Sequence, residues 1–472
     1  MDRLKQLYKA TIGSEPTSII RLTGSGSNRQ YFRLTGVPNL IGVIGLVKEE
    51  NNAFIRISQD FSLKRLPVPK VVAVSDDGMA YLQEDLGNEL LFDRIASGRQ
   101  TGDFSDEEIF LLVNTIRELA HIHYRGPGDN VFSWCYPVAE FDRRSIMWDL
   151  NYFKYCFLRN CGIEVDEPAL ESDFKSLADE LLAKPFNTFM YRDFQSRNVM
   201  IVDNKPRFID FQGGRRGPAE YDLASFLWQA KANFSDKLRI RLVEEYLISA
   251  MQYEKIDRDS FLRRLKLFVM FRTLQVLGAY GLRGIVERKA HFIESIPLAV
   301  KNLADLRSQG ILNDYPELER IAGVIIEKFP MPEKRTSLLV TLMSFSYKQG
   351  LPADNTGNGG GYVFDCRGMH NPGRYDEYKP LTGRDKPVID FLEERGEVQT
   401  FLSHAEALVD ASVDTYLRRG FTNLFVGFGC TGGRHRSVYC AEQMARHLSE
   451  KYGVEIALIH REQHIEERLN KK

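Results

Sequence analysis

The sequence lacks features that identify membrane, secreted and nucleic-acid-binding proteins. Its 472 residues carry a formal net charge of −1, so no field of one sign acts over the whole surface to attract nucleic acid or an anionic membrane. The longest apolar run near the N-terminus, LIGVIGLV at 40–47, is too short to cross a bilayer. The opening stretch, MDRLKQLYKATIG, has no small-residue cleavage site, so we expect no signal peptide.

Paired cysteines are also missing. The six cysteines include no C-x-x-C pair, which argues against a structural zinc site and against a disulfide framework. This pattern predicts a reduced, cytoplasmic protein. Hydrophobic residues make up 43% and charged residues 27%, which is ordinary globular composition, and the length suggests about three domains or lobes.

Residues 1–327 are predicted to form a β-rich lobe followed by a helical lobe. A glycine-serine turn separates β-rich runs, and a further pair of strands surrounds the Asp-Asp-Gly turn within 66–86. Helical spacing then dominates over 106–124, 141–160 and much of 219–308.

A different pattern follows KFPMPEKRT at 328–336, which is typical of a linker. Strand-like runs such as SLLVTLMSF and TNLFVGFGC alternate with helical runs such as VYCAEQMARHLSEKYG. Residues 336–472 are therefore predicted to form a small α/β domain with a largely parallel sheet.

Two acids and an amide stand at fixed spacing in YRDFQSRNVMIVDNKPRFIDFQGG at 191–214. Asp193 precedes Asn198 by five residues, and Asp210 follows a short hairpin. Kinases place a proton-accepting acid and a metal-binding Asn at this spacing, and a second metal-binding Asp on the next strand. The same residues are also common in ordinary turns. The turn GSGSN at 24–28, whose backbone N–H groups can bind phosphate, favours the kinase interpretation.

These motifs resemble the aminoglycoside-phosphotransferase-like kinases. GSGSNRQYFRL, LPVPKVV, LQEDLG, RDFQSRN, IDFQ and RTLQVLGAYGLRG are most similar to the AmgK-type cell-wall sugar kinases, over about 10–308. The resemblance implies a bilobal protein-kinase-like fold and transfer from ATP to the anomeric hydroxyl of N-acetylmuramate or N-acetylglucosamine. It also implies site residues: the base Asp193, the Mg²⁺ ligands Asn198 and Asp210, and a phosphate loop around Ser25–Arg29. The predicted ATP contacts are Ser25, Gly26, Ser27, Asn28, Arg33 and Glu84.

The chain departs from this family's pattern in three places. Tyr191 and Gln195 stand where histidines are usual. The strand that normally supplies a phosphate-pairing lysine reads IGVIGLV, with its first lysine at 48. Arg29 and Arg33 are the two alternatives for that positive charge. Asp222, in EYDLAS, is expected to hold the catalytic loop.

A second constellation lies in FVGFGCTGGRHRSVYC at 425–440. An apolar strand ends at Cys430, glycines turn the chain, and a helix is expected to begin near Ser437. Backbone N–H groups at a helix start form an anion site. The predicted phosphate contacts are Thr431, Gly432, Gly433, Arg434, His435, Arg436 and Ser437. The same segment also fits the pattern C-x-x-G-x-x-R-S, which is the loop of cysteine phosphatases. In those enzymes a histidine usually precedes the cysteine, whereas here Gly429 does.

Residues 336–466 resemble the C-terminal domain of RapZ through FSYKQGLP, YVFDCRGMHNPGR, LTGRDKPVIDFL and GCTGGRHRS. Such domains bind an amino-sugar phosphate and can act as RNA adapters. The resemblance adds Asp365 and Arg367 as phosphosugar contacts. RNA binding has weak support because the basic tail residues are interrupted by acids.

The sequence as a whole predicts an amino-sugar kinase joined to a domain that binds or senses a sugar phosphate, with ATP and Mg²⁺ as cofactors. Two alternatives remain: an RNA-binding adapter with a degenerate kinase half, and a phosphatase that uses Cys430.

Overall fold

The computed structural model describes residues 1–22, 29–128, 130–331, 337–352, 361–394 and 396–470. They divide into two compact units, Met1–Met331 and Pro332–Lys472. The bilobal kinase-like fold and the small α/β domain that the sequence predicts are both confirmed.

The first unit opens with a five-stranded antiparallel sheet in the order β1-β2-β3-β5-β4. Strands alternate their side chains between two faces, so each face packs on its own helix. Leu40 on β3 joins the cluster around Leu4 and Tyr8 of α1, whereas Val43 faces the cluster that contains Phe54 of α2. The elements are α1 (Asp2–Ile12), β1 (Ser18–Leu22), β2 (Gln30–Thr35), β3 (Leu40–Ile44), α2 (Lys48–Leu63), β4 (Val71–Val74) and β5 (Ala80–Glu84).

The helical lobe carries two small hairpin-like sheets, β6 with β9 and β7 with β8, that bracket the predicted catalytic loop. Its elements are α3 (Leu91–Arg94), α4 (Ala96–Thr101), α5 (Asp106–Arg125), α6 (Val131–Trp134), α7 (Arg143–Phe153), α8 (Glu167–Leu181), β6 (Thr188–Met190), β7 (Val199–Val202), β8 (Lys205–Phe208), β9 (Arg215–Gly217), α9 (Ala219–Leu227), α10 (Asp236–Ala250), α11 (Arg258–Tyr280), α12 (Ala290–Ile293), α13 (Ile296–Ser308) and α14 (Pro316–Lys328).

Helix α11 continues as a π-helical turn, Gly281–Val286. Among the described residues, Arg258–Val286 is the one helix long and apolar enough to cross a membrane by length and composition. It packs against α7, α9 and α13, and more than half of its most apolar window is buried inside the unit. This packing accounts for its apolar composition.

The second unit is a five-stranded sheet in the order β11-β12-β10-β13-β14. The first four strands run parallel, and β14 is antiparallel to β13. Parallel strands are covered on both faces, which explains the nearly continuous burial of Asn423–Cys430. The elements are β10 (Leu339–Ser346), β11 (Gly361–Asp365), α15 (Lys386–Glu393), α16 (Glu397–Arg419), β12 (Asn423–Cys430), α17 (Arg436–Tyr452), β13 (Glu455–His460) and β14 (Ile465–Leu469).

We expect residues 332–472 to fold as a fragment, because this unit buries a core of its own that includes Leu342, Val426 and Leu458. Circular dichroism should show a cooperative thermal transition. Val426→Asp is the control: an unpaired charge in this core should abolish the transition. A wild-type fragment that melts without cooperativity would contradict the expectation.

Candidate functional site

The catalytic loop of the first unit is held by one buried carboxylate. Asp222, at the start of α9, accepts hydrogen bonds from the backbone N–H groups of Tyr191 (2.6 Å) and Arg192 (2.8 Å). It also accepts one from Nε2 of His123 (3.0 Å), and both side chains are fully buried. Arg192 adopts a left-handed backbone conformation with φ of 77°. The Asp222 contacts stabilise that conformation and set the direction in which the chain enters Asp193.

Asp193 lies exposed in the loop with its carboxylate oriented by a neighbour. Nε2 of Gln195 donates to its Oδ1 (3.0 Å). Nδ2 of Asn198 donates to the backbone carbonyl of Asp193 (2.9 Å). Because the amide nitrogen of Asn198 is turned toward Asp193, its oxygen is available to a cation.

Asp210 follows β8 in a left-handed conformation, φ 69°. Its Oδ1 accepts from Nε2 of Gln212 (2.6 Å), and the N–H of Ile209 donates to the carbonyl of Asn198 (3.1 Å), which joins the two segments. Desolvation by the surrounding protein and then the charge of Asp210 raise the pKa of the Asp193 carboxyl, although part of the side chain remains open to solvent. Two carboxylates close enough to repel each other favour the binding of a divalent cation.

No group of three or more His, Cys, Asp or Glu side chains within the described ranges forms a metal site. A cation here would therefore depend on Asp210, the amide oxygen of Asn198 and ligands from a bound molecule.

A cavity of about 270 Å³ opens beside Asp193. Arg272 lies in its wall and is braced by Ser225 Oγ (2.9 Å) and Tyr221 OH (3.0 Å). Aromatic rings and amides make up much of the remaining lining: Trp228, Tyr280, Phe292, Gln195, Gln229 and Asn302. The cavity offers apolar faces together with polar groups, which is the usual composition of a small-molecule pocket.

The predicted nucleotide contacts are distributed over the β-rich lobe. Ser25, Gly26, Ser27 and Asn28 lie outside the described residues. The guanidinium of Arg33 binds both carboxylate oxygens of Asp85 (2.7 and 2.9 Å) and the carbonyl of Gly87 (2.8 Å). It thus braces the segment that follows β5.

Glu84 ends β5 and pairs with Nη2 of Arg207 on β8 (2.7 Å). Arg29 was one of the two alternatives for the missing lysine charge. It is buried beside Glu50 of α2, with Nη2 3.2 Å from Oε1.

The loop between β12 and α17 forms the second site. Gly433 has φ of 65°, and a Cβ there would lie 2.5 Å from Oε2 of Glu462, so the position requires glycine. A Cβ on Gly432 would meet no atom within 4 Å. Thr431 and Gly432 are exposed, and α17 begins at Arg436 without a side-chain cap. The exposed loop and the open helix start together offer backbone N–H groups to an anion.

The three basic side chains of this loop bind backbone carbonyls of the 369–381 region. Arg434 donates to the carbonyl of Pro380 (2.7 Å), His435 to that of Tyr378 (2.9 Å), and Arg436 to that of Met369 (2.7 Å). Burial is the main cause that lowers the pKa of His435. The sequence predicts that these three side chains donate directly to a phosphate. Their contacts with backbone carbonyls show that they also fix the shape of the loop.

Asp365, Cys430 and Ser437 lie next to this loop. Arg367 binds Asp365 (2.7 Å), and this ion pair lowers the pKa of the Asp365 carboxyl. The guanidinium of Arg367 also lies 4.0 Å from the ring centre of Tyr347. Sγ of the buried Cys430 lies 3.1 Å from Ser437 Oγ.

Known proteins with matching segments or similar folds fall into two groups. Curated relatives named nucleotide-binding proteins include one from Xanthomonas euvesicatoria pv. vesicatoria, 43% identical over 129 residues (27% of this chain, 43% of that protein). Another, from Acidobacterium capsulatum, is 37% identical over 168 residues (36% and 53%). The chain spans about half the length of the curated relatives it matches.

Solved structures with similar folds include a choline kinase from Cryptosporidium parvum Iowa II, 14% identical with a TM-score of 0.44, covering 65% of this chain and 93% of that one. Amicoumacin kinase hAmiN, solved with AMP-PNP and Ca²⁺, is 13% identical with a TM-score of 0.45, covering 71% and 96%.

Two family models match the chain directly. Residues 338–464 match the RapZ C-terminal domain. Residues 18–258, just over half of the chain, match the phosphotransferase enzyme family; the chain therefore belongs to that family, and its first unit carries the phosphotransferase domain.

Proposed function

We propose that the first unit is an ATP-dependent kinase of a small amino sugar, with Asp193 as the base for the acceptor hydroxyl. The observation that carries this proposal is that Asp193 lines the 270 Å³ cavity while it lies within electrostatic reach of Asp210. As the hydroxyl oxygen bonds to the γ-phosphorus and the bond to ADP breaks, the proton passes to the Asp193 carboxylate.

Mg²⁺ is the proposed metal, held by Asp210 and the amide oxygen of Asn198. Mg²⁺ prefers oxygen ligands and is usually bound by one or two carboxylates together with phosphates and water. The donor set fits, because the hydrogen bond from Asn198 Nδ2 to the Asp193 carbonyl leaves the amide oxygen as its metal-facing atom. Bound there, the ion would neutralise charge on the transferred phosphate.

The proposed acceptor is N-acetylmuramate or N-acetylglucosamine, phosphorylated at the anomeric hydroxyl. The motif resemblance to AmgK-type kinases supports this choice. The cavity lining agrees with it: Trp228 and Tyr280 supply aromatic faces for the C–H faces of a sugar, and Gln229 supplies an amide for its hydroxyl or acetamido groups.

For the second unit we propose binding of a sugar phosphate at Thr431–Gly433 and the start of α17. The open space at Gly432 and the uncapped helix start support an anion site. Because the first unit would produce a sugar phosphate, the second can sense that product or a related metabolite. We place both units in the cytoplasm.

Two features argue against a phosphatase at Cys430. A cysteine phosphatase needs a general acid to protonate the departing oxygen. Of the three possible acids, Asp365 is paired with Arg367, Asp376 is paired with Lys379, and Asp385 accepts hydrogen bonds from Thr382 (2.7 and 2.9 Å). The contacts of Asp365 and Asp385 lower the pKa of both carboxyls, which favours their ionised forms.

The RNA-adapter alternative has less support. Arg468, part of the basic tail, lies on β14 near Glu466 (3.3 Å) and Glu455 (3.7 Å), so its charge is paired. Lys471 and Lys472 lie outside the described residues. The intact set of Asp193, Asn198 and Asp210 also argues against a degenerate kinase.

Asp193→Asn should lower kcat by about 10²–10⁴-fold while ATP binding is retained, because it removes the proton acceptor. Asp210→Ala should instead weaken Mg·ATP binding. The measurements are steady-state kinetics on N-acetylated hexosamines and calorimetry with AMP-PNP. Asp203→Asn, in the exposed hairpin turn, is the matched control and should keep wild-type values. Unchanged turnover in Asp193→Asn would remove its assigned role.

The anomeric claim makes a separate prediction. A reducing N-acetylated hexosamine should be phosphorylated, and its 1-O-methyl glycoside should not, because the glycoside has no free anomeric hydroxyl. Phosphorus NMR identifies the phosphorylated position. Turnover of the glycoside would contradict phosphorylation at the anomeric hydroxyl and would indicate a sugar kinase that phosphorylates another hydroxyl.

Arg436→Ala should weaken binding of glucosamine 6-phosphate to the full chain by about a hundredfold, through loss of charge-assisted contacts and of the loop's brace. Cys430→Ser should bind nearly normally. Arg446→Ala, exposed on the same helix, is the control. Thermal unfolding of each variant checks that the domain remains folded. Phosphate release that disappears in Cys430→Ser would show instead that this unit is a phosphatase.

A further inference from the structure

The central strand of the β-rich lobe presents no basic side chain. Strand β3 reads LIGVI, and Val43 lies in register between Tyr31 of β2 and Tyr81 of β5. In protein kinases a β3 lysine contacts the nucleotide phosphates and pairs with a glutamate of the following helix. Here the first lysine after the strand, Lys48, is exposed and lies against the Gly78 turn.

The buried charge at this place belongs to Arg29. Its side chain is 2% exposed, and Nη2 lies 3.2 Å from Oε1 of Glu50 and 3.0 Å from the Glu50 carbonyl. Glu50 is in the first turn of α2, the helix that directly follows β3. An arginine that directly precedes β2 therefore forms the ion pair with this helix that a β3 lysine forms in protein kinases.

A stack of aromatic rings connects this ion pair to Asp210. The Arg29 guanidinium lies 5.8 Å from the ring centre of Phe54. Phe54 stacks on Phe211, with ring centres 4.8 Å apart, and Phe211 follows Asp210 in the chain. The charges of Arg29 and Asp210 both act on the phenol of Tyr31, in opposite directions. The arginine and the proposed metal ligand thus border the same region.

Arg33, the other residue that the sequence offered in place of the lysine, binds a different segment of the chain. Its contacts with Asp85, Asn88 and Gly87 direct its charge to the segment after β5. A guanidinium can bind a carboxylate along one edge and a phosphate along another. Arg29 also directly follows the Gly-rich turn at 24–28 that the sequence assigns to phosphate.

We propose that Arg29, anchored by Glu50 on α2, contacts the phosphates of the bound nucleoside triphosphate and takes the role that a β3 lysine has in other kinases. The inference rests on the proposed kinase function of the first unit. It defines a nucleotide subsite in which the anchoring residue, Glu50, orients the guanidinium without touching the nucleotide.

The test compares the binding of ATP and of adenosine to the full chain by calorimetry. Arg29→Gln should weaken ATP binding about ten- to a hundredfold, the size expected for a charge-assisted contact, and leave adenosine binding unchanged, because adenosine has no phosphate. Arg29→Lys should recover part of the ATP affinity. Arg21→Gln, exposed on β1, is the control and should bind both ligands as wild type does.

The double variant Arg29→Gln/Glu50→Gln covers the case in which Arg29→Gln misfolds because Glu50 is left unpaired. It should show the same selective loss of ATP affinity. Equal losses for ATP and adenosine would mean a purely structural ion pair, and unchanged ATP affinity would mean no phosphate contact; either result overturns the inference.

The same experiment separates this inference from the sugar assignment. Selective loss of ATP affinity in a protein that phosphorylates no amino sugar would support the Arg29 subsite and reject the acceptor. A wild-type chain that binds neither ATP nor adenosine would overturn both.

Discussion

The carboxylate of Asp222 is the contact on which the proposed chemistry of the first unit depends. It satisfies two successive backbone N–H groups of the catalytic loop and a buried imidazole, His123. Such groups would be costly to bury without a partner. The left-handed turn at Arg192 and the direction of Asp193 follow from these bonds. Asp222 does not line the cavity, yet its hydrogen bonds orient the proposed base, Asp193, that does.

Guanidinium groups hold loops in both units. Arg33 binds the segment after β5, Arg207 donates to the carbonyl of Val68 (2.7 Å), and Arg434 and Arg436 bind carbonyls of the segment that faces their loop. Each arginine offers several donors in a fixed plane, so one side chain can fix several acceptors. Charge-assisted bonds to the backbone thus fix loops in both units.

The sequence predicted the fold class and the two kinds of domain because those signals are local. The alternation of β10 to β13 with helices and the hairpin between Asn198 and Asp210 each occupy a short stretch. Contacts between distant segments carried no such signal. The Arg29–Glu50 pair joins a strand start to a helix, α2, that the sequence analysis did not predict, and spacing alone left Arg29 and Arg33 as equal alternatives.

Residues 465–469 show a different limit. The sequence suggested a short basic tail at Arg468 that acids interrupt, whereas residues 465–469 form β14, an antiparallel edge strand paired with β13. Edge strands often carry charged residues on their exposed face, so the charge pattern concealed the strand. The partners of Arg434, His435 and Arg436 were equally hidden, since they lie more than 50 residues earlier in the chain.

Gln195 and Tyr191 replace the histidines usual in this kind of loop. Gln195 donates to Asp193 through an amide that does not titrate, and burial holds the pKa of Tyr191 well above its ordinary value. Neither side chain changes charge near neutral pH. The hydrogen bonds that these two side chains make should therefore persist through mild acidification, under conditions in which an imidazole at either position would gain a proton and exchange its partners.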